Sequence, residues 1–454
     1  MPKTALKDKE YVLKTARDLG VKFIRLWFTD ILGFLKNVAI TIEELEEALE
    51  EGVGFDGSSI EGFTRSEESD MIAMPDPNTF AILPWRPKEN AVARMFCDIL
   101  KPNGEPFEGD PRYILKQNLK HAAELGYTFY VGPELEHFYF KSSGDPTPLD
   151  VGGYFDLTPL DLASDLRRET ILAMEELGVG VEFSHHEVAP SQHEIDFRYT
   201  DALTMADSVM TYRLVIKEIA LKHGVYASFM PKPLAGENGS GMHVNISLFS
   251  AEGGSASGGH EKNAFFDAKD PAHLSPVAKT FMAGLLKHVR EFTIVTNQWV
   301  NSYKRLTPGY EAPVYVTWAL TNRADLVRIP RAKPGKEEAC RIELRSPDPS
   351  CNPYLAFSVI LAAGLEGIKA KEKLPAAAEI NVAGLSDEER LKRGIQSLPR
   401  DLGHAIEIAE TSSLLRKALG EHIFASFLQN KRIEWQKYQS AVTDFELKTY
   451  LPLL

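Results

Sequence analysis

The sequence predicts an α+β protein with a small strand-rich N-terminal unit and a larger mixed unit, and three observations carry that reading. The first hundred residues alternate short β-like runs with one helix. Beyond a turn-rich segment, Lys101-Pro-Asn-Gly-Glu-Pro, four helix signatures interleave with strand candidates in irregular order, unlike a regular βαβ series. Four of those strand candidates alternate between apolar and polar positions.

Taken in order, Val21 to Phe28 reads as a strand. Thr41 followed by Glu43 to Glu51 reads as a capped helix that Gly52 ends. A Pro-rich stretch from Pro75 to Pro87 leads to a strand over Val92–Asp98. The turn chemistry that follows places a domain boundary there, giving units 1–104 and 105–454. Asp110-Pro111 supplies an N-cap and a first-turn proline for a helix that Gly126 closes. Similar helices are expected from Ser164 to Gly178, Asp201 to Gly224 and Ser275 to about Phe292. Ser250 to Gly259 reads as a flexible hairpin tip, and no solenoid repeat is visible.

A length of 454 residues suits two or three domains, and 44% apolar with 25% charged residues is ordinary for a folded globular chain. With 51 Lys and Arg against 64 Asp and Glu, the net charge is −13, which disfavours nucleic acid or an acidic membrane surface as partner. Cys97, Cys340 and Cys351 show no metal or redox spacing and suit free thiols in a reducing compartment. The N-terminus lacks the apolar core of a signal peptide, and the longest nearly apolar run, Leu355 to Leu365, falls short of the ~20 residues of a bilayer span. A cytoplasmic location is expected.

The four alternating strands concentrate chemistry on one face. A period of two puts Glu134 and Glu136 together, opposite Leu135 and His137. It likewise groups Glu194, Asp196 and Arg198 opposite Ile195, Phe197 and Tyr199. His243, Asn245 and Ser247 share a third face, and Arg341, Glu343 and Arg345 a fourth. An antiparallel sheet with a solvated outer face is the ordinary cause of such alternation. These faces hold Glu, His, Asn and Arg with hardly any Lys, which fits a concave, ligand-filled surface better.

Several carboxylates with one or two His suit hard or borderline divalent ions such as Mg²⁺ or Mn²⁺. Arg305, Arg323, Arg328, Arg341 and Arg345 cluster within 41 residues of an acidic chain. Their forked guanidinium groups match phosphate and carboxylate oxygens, so cations beside a carboxylate site point to phosphoryl transfer to an anionic substrate. The run Ser184-His-His-Glu to Glu194 fits no zinc signature, and neither a Walker A loop nor a dinucleotide-binding GxGxxG turn is present.

The ordered motifs FDGSSIEGF, PELEHF, SHHEVAPSQHEIDFRY, FMPKP with NGSGMH, NSYKRLTPGYEAP and RIELRSPDPSCNPYLAF resemble type I glutamine synthetases from about Phe23 to the C-terminus. The resemblance implies a β-grasp-like N-terminal domain, and a catalytic domain with a curved antiparallel sheet flanked by helices. It also implies two stacked six-membered rings with active sites shared between neighbours. It makes Glu136, Glu187 and Glu194 ligands of one metal, and Glu134, His243 and Glu343 ligands of a second, in a site with two to three Mg²⁺ or Mn²⁺. Arg305, Arg345, Asn238 and Gly239 would bind glutamate. Arg323 and Arg328 would bind phosphate groups, and Glu182, Phe197, Tyr199, Asn245, Ser247 and Arg341 would line the ATP site. Asp56 from the neighbouring subunit, with Ser59, Tyr154 and Glu187, resembles the ammonium site, and Glu311 the flap residue that closes it.

The implied activity joins ammonium to the side-chain carboxylate of L-glutamate through γ-glutamyl phosphate. The alternatives are a γ-glutamyl ligase for a polyamine or ethanolamine, and a non-catalytic relative. Residues 376–386 contain no Tyr, so the adenylylation control of some relatives is not expected, and Phe63-Thr64-Arg65 resembles the branch in which an Arg mediates feedback inhibition by glutamine. Asn245 stands where many relatives have a second His, and the segment from Arg331 leaves open whether Lys333 or Lys336 approaches the nucleotide.

Overall fold

A computed structural model describes residues 7–62, 70–251, 261–322, 324–333 and 335–454. Arg65, Arg323 and most of the expected Gly/Ser hairpin tip lie outside the described residues. The strands flanking that tip, Met242–Ala251 and Glu261–Asn263, do pair antiparallel.

The N-terminal sheet has six strands. Val21–Thr29 lies between Leu35–Thr41, its antiparallel hairpin partner, and Ala91–Leu100, which runs parallel to it. Asp70–Pro75 and then Val53–Asp56 extend the other edge. The Glu43–Glu51 helix begins differently from its sequence expectation. Thr41 makes no side-chain cap, and a 3₁₀ turn, Ile42–Glu44, leads into Leu45–Glu51. Gly52 ends it at φ 76°, as its freedom from Cβ strain allows. A further helix, Lys9–Asp18, capped by Asp8, had no counterpart in the sequence reading.

The larger unit holds an eleven-stranded sheet centred on the long strand Tyr127–Ser142. That strand is flanked by Gln192–Phe197 and Met242–Ala251, both antiparallel, and Ile342–Leu344 pairs beyond the latter. Three of the four expected helices begin at their caps. Asp110 accepts from Arg112 N–H, Asp201 from Thr204 N–H and Ser275 from Ala278 N–H, opening Pro111–Glu124, Ala202–Lys222 and Pro276–Thr296. Ser164–Glu176 starts without a side-chain cap.

Helix Pro353–Ala370 extends well past the apolar run seen in the sequence and is long and apolar enough to span a bilayer. It is instead the core helix of this unit, packed on Pro276–Thr296, Pro111–Glu124 and Ser413–Gln439. Its approach to Pro276–Thr296 is glycine against glycine. A Cβ on Gly367 would lie 2.3 Å from Thr280 O and 2.6 Å from Gly284 Cα.

Arg112 fastens the two units together. Its buried guanidinium donates to Asp98 (2.6 Å) and Asp76 (2.8 Å) of the small unit and to both oxygens of Asp207 (3.0 and 3.1 Å) in the large one. Asp207 also accepts from Tyr354 Oη at 2.6 Å.

A second tie joins the segment after Asp56 to helix Ser413–Gln439. His422 Nε2 meets Glu61 Oε1 at 2.7 Å, and Asn430 donates to Glu61 O. The hydrogen bond to Glu61 raises the His422 pKa against the opposing effect of burial. At Glu61, burial acts to raise the pKa, but His422 outweighs it and the net shift is downward. The stabilisation is complete between the unfolded values of about 4.3 for Glu and 6.5 for His. It is lost as pH rises through the folded His422 pKa or falls through the folded Glu61 pKa. Thermal melting of His422→Ala should therefore show a deficit against the wild type near pH 6 that vanishes near pH 9. An equal deficit at both would contradict the charge pair.

Candidate active site

Antiparallel pairing turns the alternation of each strand into one shared surface, because residues directly opposite point to the same face. Glu194 lies opposite Glu136, and Asp196 opposite Glu134. On its other side Glu134 lies opposite His243, and Asn245 opposite Glu343. Leu135, Ile195, Val244, Ile342 and Leu344 form the reverse, buried side.

A cavity of about 600 Å³ opens over the polar face. Glu134, Glu136, Glu187, Glu194 and His243 line it, with Asn238, Gly239, Arg305 and Arg345 on one wall. Glu182, Phe197, Tyr199, Asn245, Ser247, Arg328 and Arg341 line the remainder, with Tyr154 and Glu311 at its edge. Glu343 lies beneath this lining, fully buried. Asp56 and Ser59 are not brought to this cavity. They belong to the N-terminal unit, where Ser58 donates its N–H and hydroxyl to the Asp56 carboxylate at 2.9 Å each.

One part of the alternation fails. Arg198, expected beside Glu194 and Asp196, is exposed and absent from the cavity lining, whereas Phe197 and Tyr199, expected on the apolar side, line it. The cause is a register shift between Ile195 and Phe197 against Val181–His186, after which the strand ends.

Two donor groups form on the face. Ligand atoms of Glu134, His243 and Glu343 lie within 4.8 Å of one another, as do those of His185, Glu187 and Glu194. His243 Nδ1 is 3.3 Å from Glu134 and 3.7 Å from Glu343. His185 is 3.5 Å from Glu187 and 3.8 Å from Glu194. Glu136 stands next to the second group, with one oxygen accepting from Gln192 Nε2 (2.7 Å) and Gly241 N–H (3.0 Å).

The electrostatics ask for positive charge. Burial, then the charge of Glu187, pushes the Glu136 carboxyl up to about 8. Asp196 is raised to about 8, mainly by burial, and Glu194 is raised well above its usual range by burial and by Asp196. At Glu134 burial also acts upward, but hydrogen bonds from His243 and Asn245 outweigh it and hold the group at about 2. Crowded, desolvated carboxylates with His beside them are a donor set that fits hard divalent cations. Glu343 is already engaged by Arg328 (2.5 Å) and Arg345, each taking one oxygen, and a second lone pair remains on each.

Glycines let the backbone close on this wall. A Cβ on Gly239 would meet Pro231 O at 2.2 Å, and one on Gly241 would meet the Arg305 guanidinium at 2.6 Å. Arg305 itself is buried and donates to the carbonyls of Arg345, Ser346 and Pro347. In the loop 306–313, after the short helix Ser302–Arg305, Glu311 adopts φ 56° and Tyr310 stacks on the Lys232 ammonium at 3.6 Å. Burial raises the Glu187 pKa, with a further contribution from the charge of Glu311, and both carboxylates line the cavity.

Asp150, His186 and His193 make a third buried group, but it is closed to a cation. Arg167 contacts His193 Nδ1 at 2.7 Å and can only donate, so the ring proton sits on Nε2. His186 is likewise committed, to Asp150 (3.0 Å) and the Glu187 carbonyl (2.6 Å). Sequence reasoning missed His185 as a donor beside Glu187 and Gln192 as the anchor of Glu136. Both lie within the quoted SHHEVAPSQHE motif, yet neither is marked by alternation.

The glutamine synthetase catalytic-domain family matches residues 108–450, and the glutamine synthetase beta-Grasp domain family matches residues 20–102. A glutamine synthetase of Mycolicibacterium smegmatis is 52% identical over 453 residues, covering 98% of this chain and all of the relative. One from Methanosarcina mazei is 54% identical over 450 residues, covering 98% of each. Among solved structures, a "GmaS/ADP complex" superposes with a TM-score of 0.87 at 32% identity, covering 97% of this chain and 99% of that one. With both family matches and full-length identity of about one half, the chain belongs to the glutamine synthetase family.

Proposed function

We propose that this protein joins ammonium to the γ-carboxylate of L-glutamate, converting ATP to ADP and phosphate and giving L-glutamine. The observation that carries the reading is the meeting, in one cavity, of two carboxylate–His donor groups with an arginine wall. Full-length relatives named glutamine synthetase at about 50% identity favour ammonium over a larger amine. The presence of Glu134, Glu136, Glu187, Glu194, His243 and Glu343 around that cavity disfavours a non-catalytic role.

Glu136, Glu187 and Glu194 would hold one divalent ion and Glu134, His243 and Glu343 another, with two to three Mg²⁺ or Mn²⁺ per site. Such ions, when bound, offset the negative charge that the phosphates bring to a carboxylate nucleophile. Arg305, Arg345, Asn238 and Gly239 orient glutamate, and the wall of Glu182, Phe197, Tyr199, Asn245, Ser247 and Arg341 receives the nucleotide. Arg328 and Arg323 take phosphate oxygens. The γ-carboxylate attacks the terminal phosphorus of ATP and ADP leaves. Ammonium, held by Tyr154 and Glu187 with Asp56 and Ser59 of the partner subunit, then gives up a proton. The resulting ammonia forms the C–N bond as phosphate departs.

Glu311 closes over the acyl phosphate, excludes water and accepts the proton. The chain assembles as stacked six-membered rings, which supply Asp56 to a neighbouring cavity. We place the domain division at residues 104/105 and the protein in the cytoplasm, where its three buried thiols stay reduced.

ATP-dependent phosphate release with glutamate and a panel of amines tests the reading. The highest kcat/KM should be with ammonium, and absence of nucleotide turnover when Mg²⁺ or Mn²⁺ is supplied would overturn it. Glu311→Ala should retain glutamate and ATP binding while amide synthesis falls about 10²–10⁴-fold, the usual contribution of a positioned proton acceptor. Near-normal turnover in that variant would remove Glu311 from the mechanism.

A further inference from the structure

Between the strand Asp145–Pro148 and the helix Ser164–Glu176 the chain makes a tight turn, Gly153-Tyr-Phe-Asp156. Asp156 N–H donates to Gly153 O at 3.0 Å, and the Asp156 carboxylate accepts from Gly153 N–H at 2.8 Å. The third position of such a turn, at positive φ, favours Gly or Asn. Here it holds Phe155 at φ 64°, an uncommon conformation for a bulky aromatic residue. Phe155 N–H is fixed by a bond to His186 O at 3.1 Å.

The unusual turn has a definite product. The rings of Tyr154 and Phe155 lie 4.0 Å apart, and both meet His185 edge-to-face, at 5.3 and 4.8 Å. Phe183 lies alongside His185 at 5.9 Å. All four rings line the cavity beside Glu187, and Phe155 is 63% exposed at its edge. Aromatic faces next to a carboxylate attract a small cation and limit its size by their bulk.

We propose, resting on the ammonia-ligase reading above, that Phe155 is the specificity-determining wall of the acceptor site, admitting ammonium and excluding its alkyl derivatives. In the second half-reaction the deprotonated amine nitrogen forms a bond to the acyl carbon. The carbon–oxygen bond to phosphate breaks, phosphate leaves with the electron pair, and the nitrogen sheds a second proton. Because the Tyr154 and Phe155 rings line the cavity beside Glu187, an N-alkyl group on that nitrogen would have to be accommodated against them, and the ring at position 155 would decide whether it fits.

The experiment compares kcat/KM for ammonium, methylamine and ethylamine in the wild type, Phe155→Asn and Phe155→Tyr. Asn removes the ring and tolerates positive φ, whereas Tyr keeps the ring. One methylene in a pocket is worth about 10- to 200-fold. Phe155→Asn should raise the methylamine-to-ammonium ratio at least about tenfold within that range, Phe155→Tyr should leave it near the wild-type value, and the KM values for glutamate and ATP should not move. An unchanged ratio in Phe155→Asn, with assembly intact by sedimentation, overturns the proposal and assigns Phe155 to subunit packing. Wild-type protein that uses methylamine as readily as ammonium overturns it without any variant. Wild-type protein that turns over ATP with no amine overturns the ligase reading as well.

Discussion

Glu343→Gln should lower kcat/KM for glutamine formation by about 10²- to 10³-fold and weaken Mn²⁺ binding in parallel. The carboxylate is fully buried and sits among Arg328, Arg345 and His243. The amide keeps its shape but replaces one acceptor oxygen by a donor that faces a guanidinium donor. Breaking a buried pair from one side costs about 3–5 kcal/mol, because the remaining charge has lost its partner. That cost falls on stability; the loss in rate is the size expected when one charged group positioned for the reaction is removed, about 10²- to 10³-fold. Turnover and Mn²⁺ titration by calorimetry check it together. A variant within fivefold of the wild type, with unchanged Mn²⁺ affinity, would place Glu343 outside the metal site.

The largest effect on stability is expected at Gly367. Its neighbours are backbone atoms, Thr280 O and the Cα of Gly284, which cannot rotate away as a side chain could. Substitution must therefore push Pro353–Ala370 off Pro276–Thr296, and the same contact is blocked from the other side, where a Cβ on Gly284 would lie 2.2 Å from Ala363 O. Overpacking of this kind costs about 1–3 kcal/mol for a methyl group and more for a larger one. Gly367→Val should consequently give little folded protein, and Gly367→Ala a melting temperature several degrees lower. Gly144→Ala is the control: nothing lies within 4 Å of its Cβ position, so its melting should be unchanged.

The legible part of this molecule was the part written locally. Alternation in Pro133–Phe138, Gly241–Leu248 and Arg341–Arg345 identified the polar face, and Asp110, Asp201 and Ser275 identified the starts of three helices, because side-chain period and capping depend on a few adjacent residues. Register is a property of two distant segments. Nothing in either strand alone says that Glu194 pairs with Glu136 or that Asn245 pairs with Glu343. The shift after Ile195 carried Tyr199 to the cavity edge and left Arg198 outside it for the same reason. His185 escaped notice because its value as a donor comes from a neighbour nine residues along the chain and across a strand pair. The Gly284–Gly367 contact is equally silent in sequence, where both glycines read as weak points of apolar helices.

The guanidinium of Arg112 bears on how the protein comes apart. Prised from the larger unit, the small one would be left with Asp76 and Asp98 beside each other and stripped of Arg112, and also of Lys116, which pairs with Asp98 at 2.5 Å. The Arg112 charge holds Asp76 below the usual carboxylate range although burial acts the other way, so detachment would return that proton affinity to the small unit as lost stability. Releasing the small unit alone would therefore forfeit this stabilisation, which links the unfolding of one unit to that of the other.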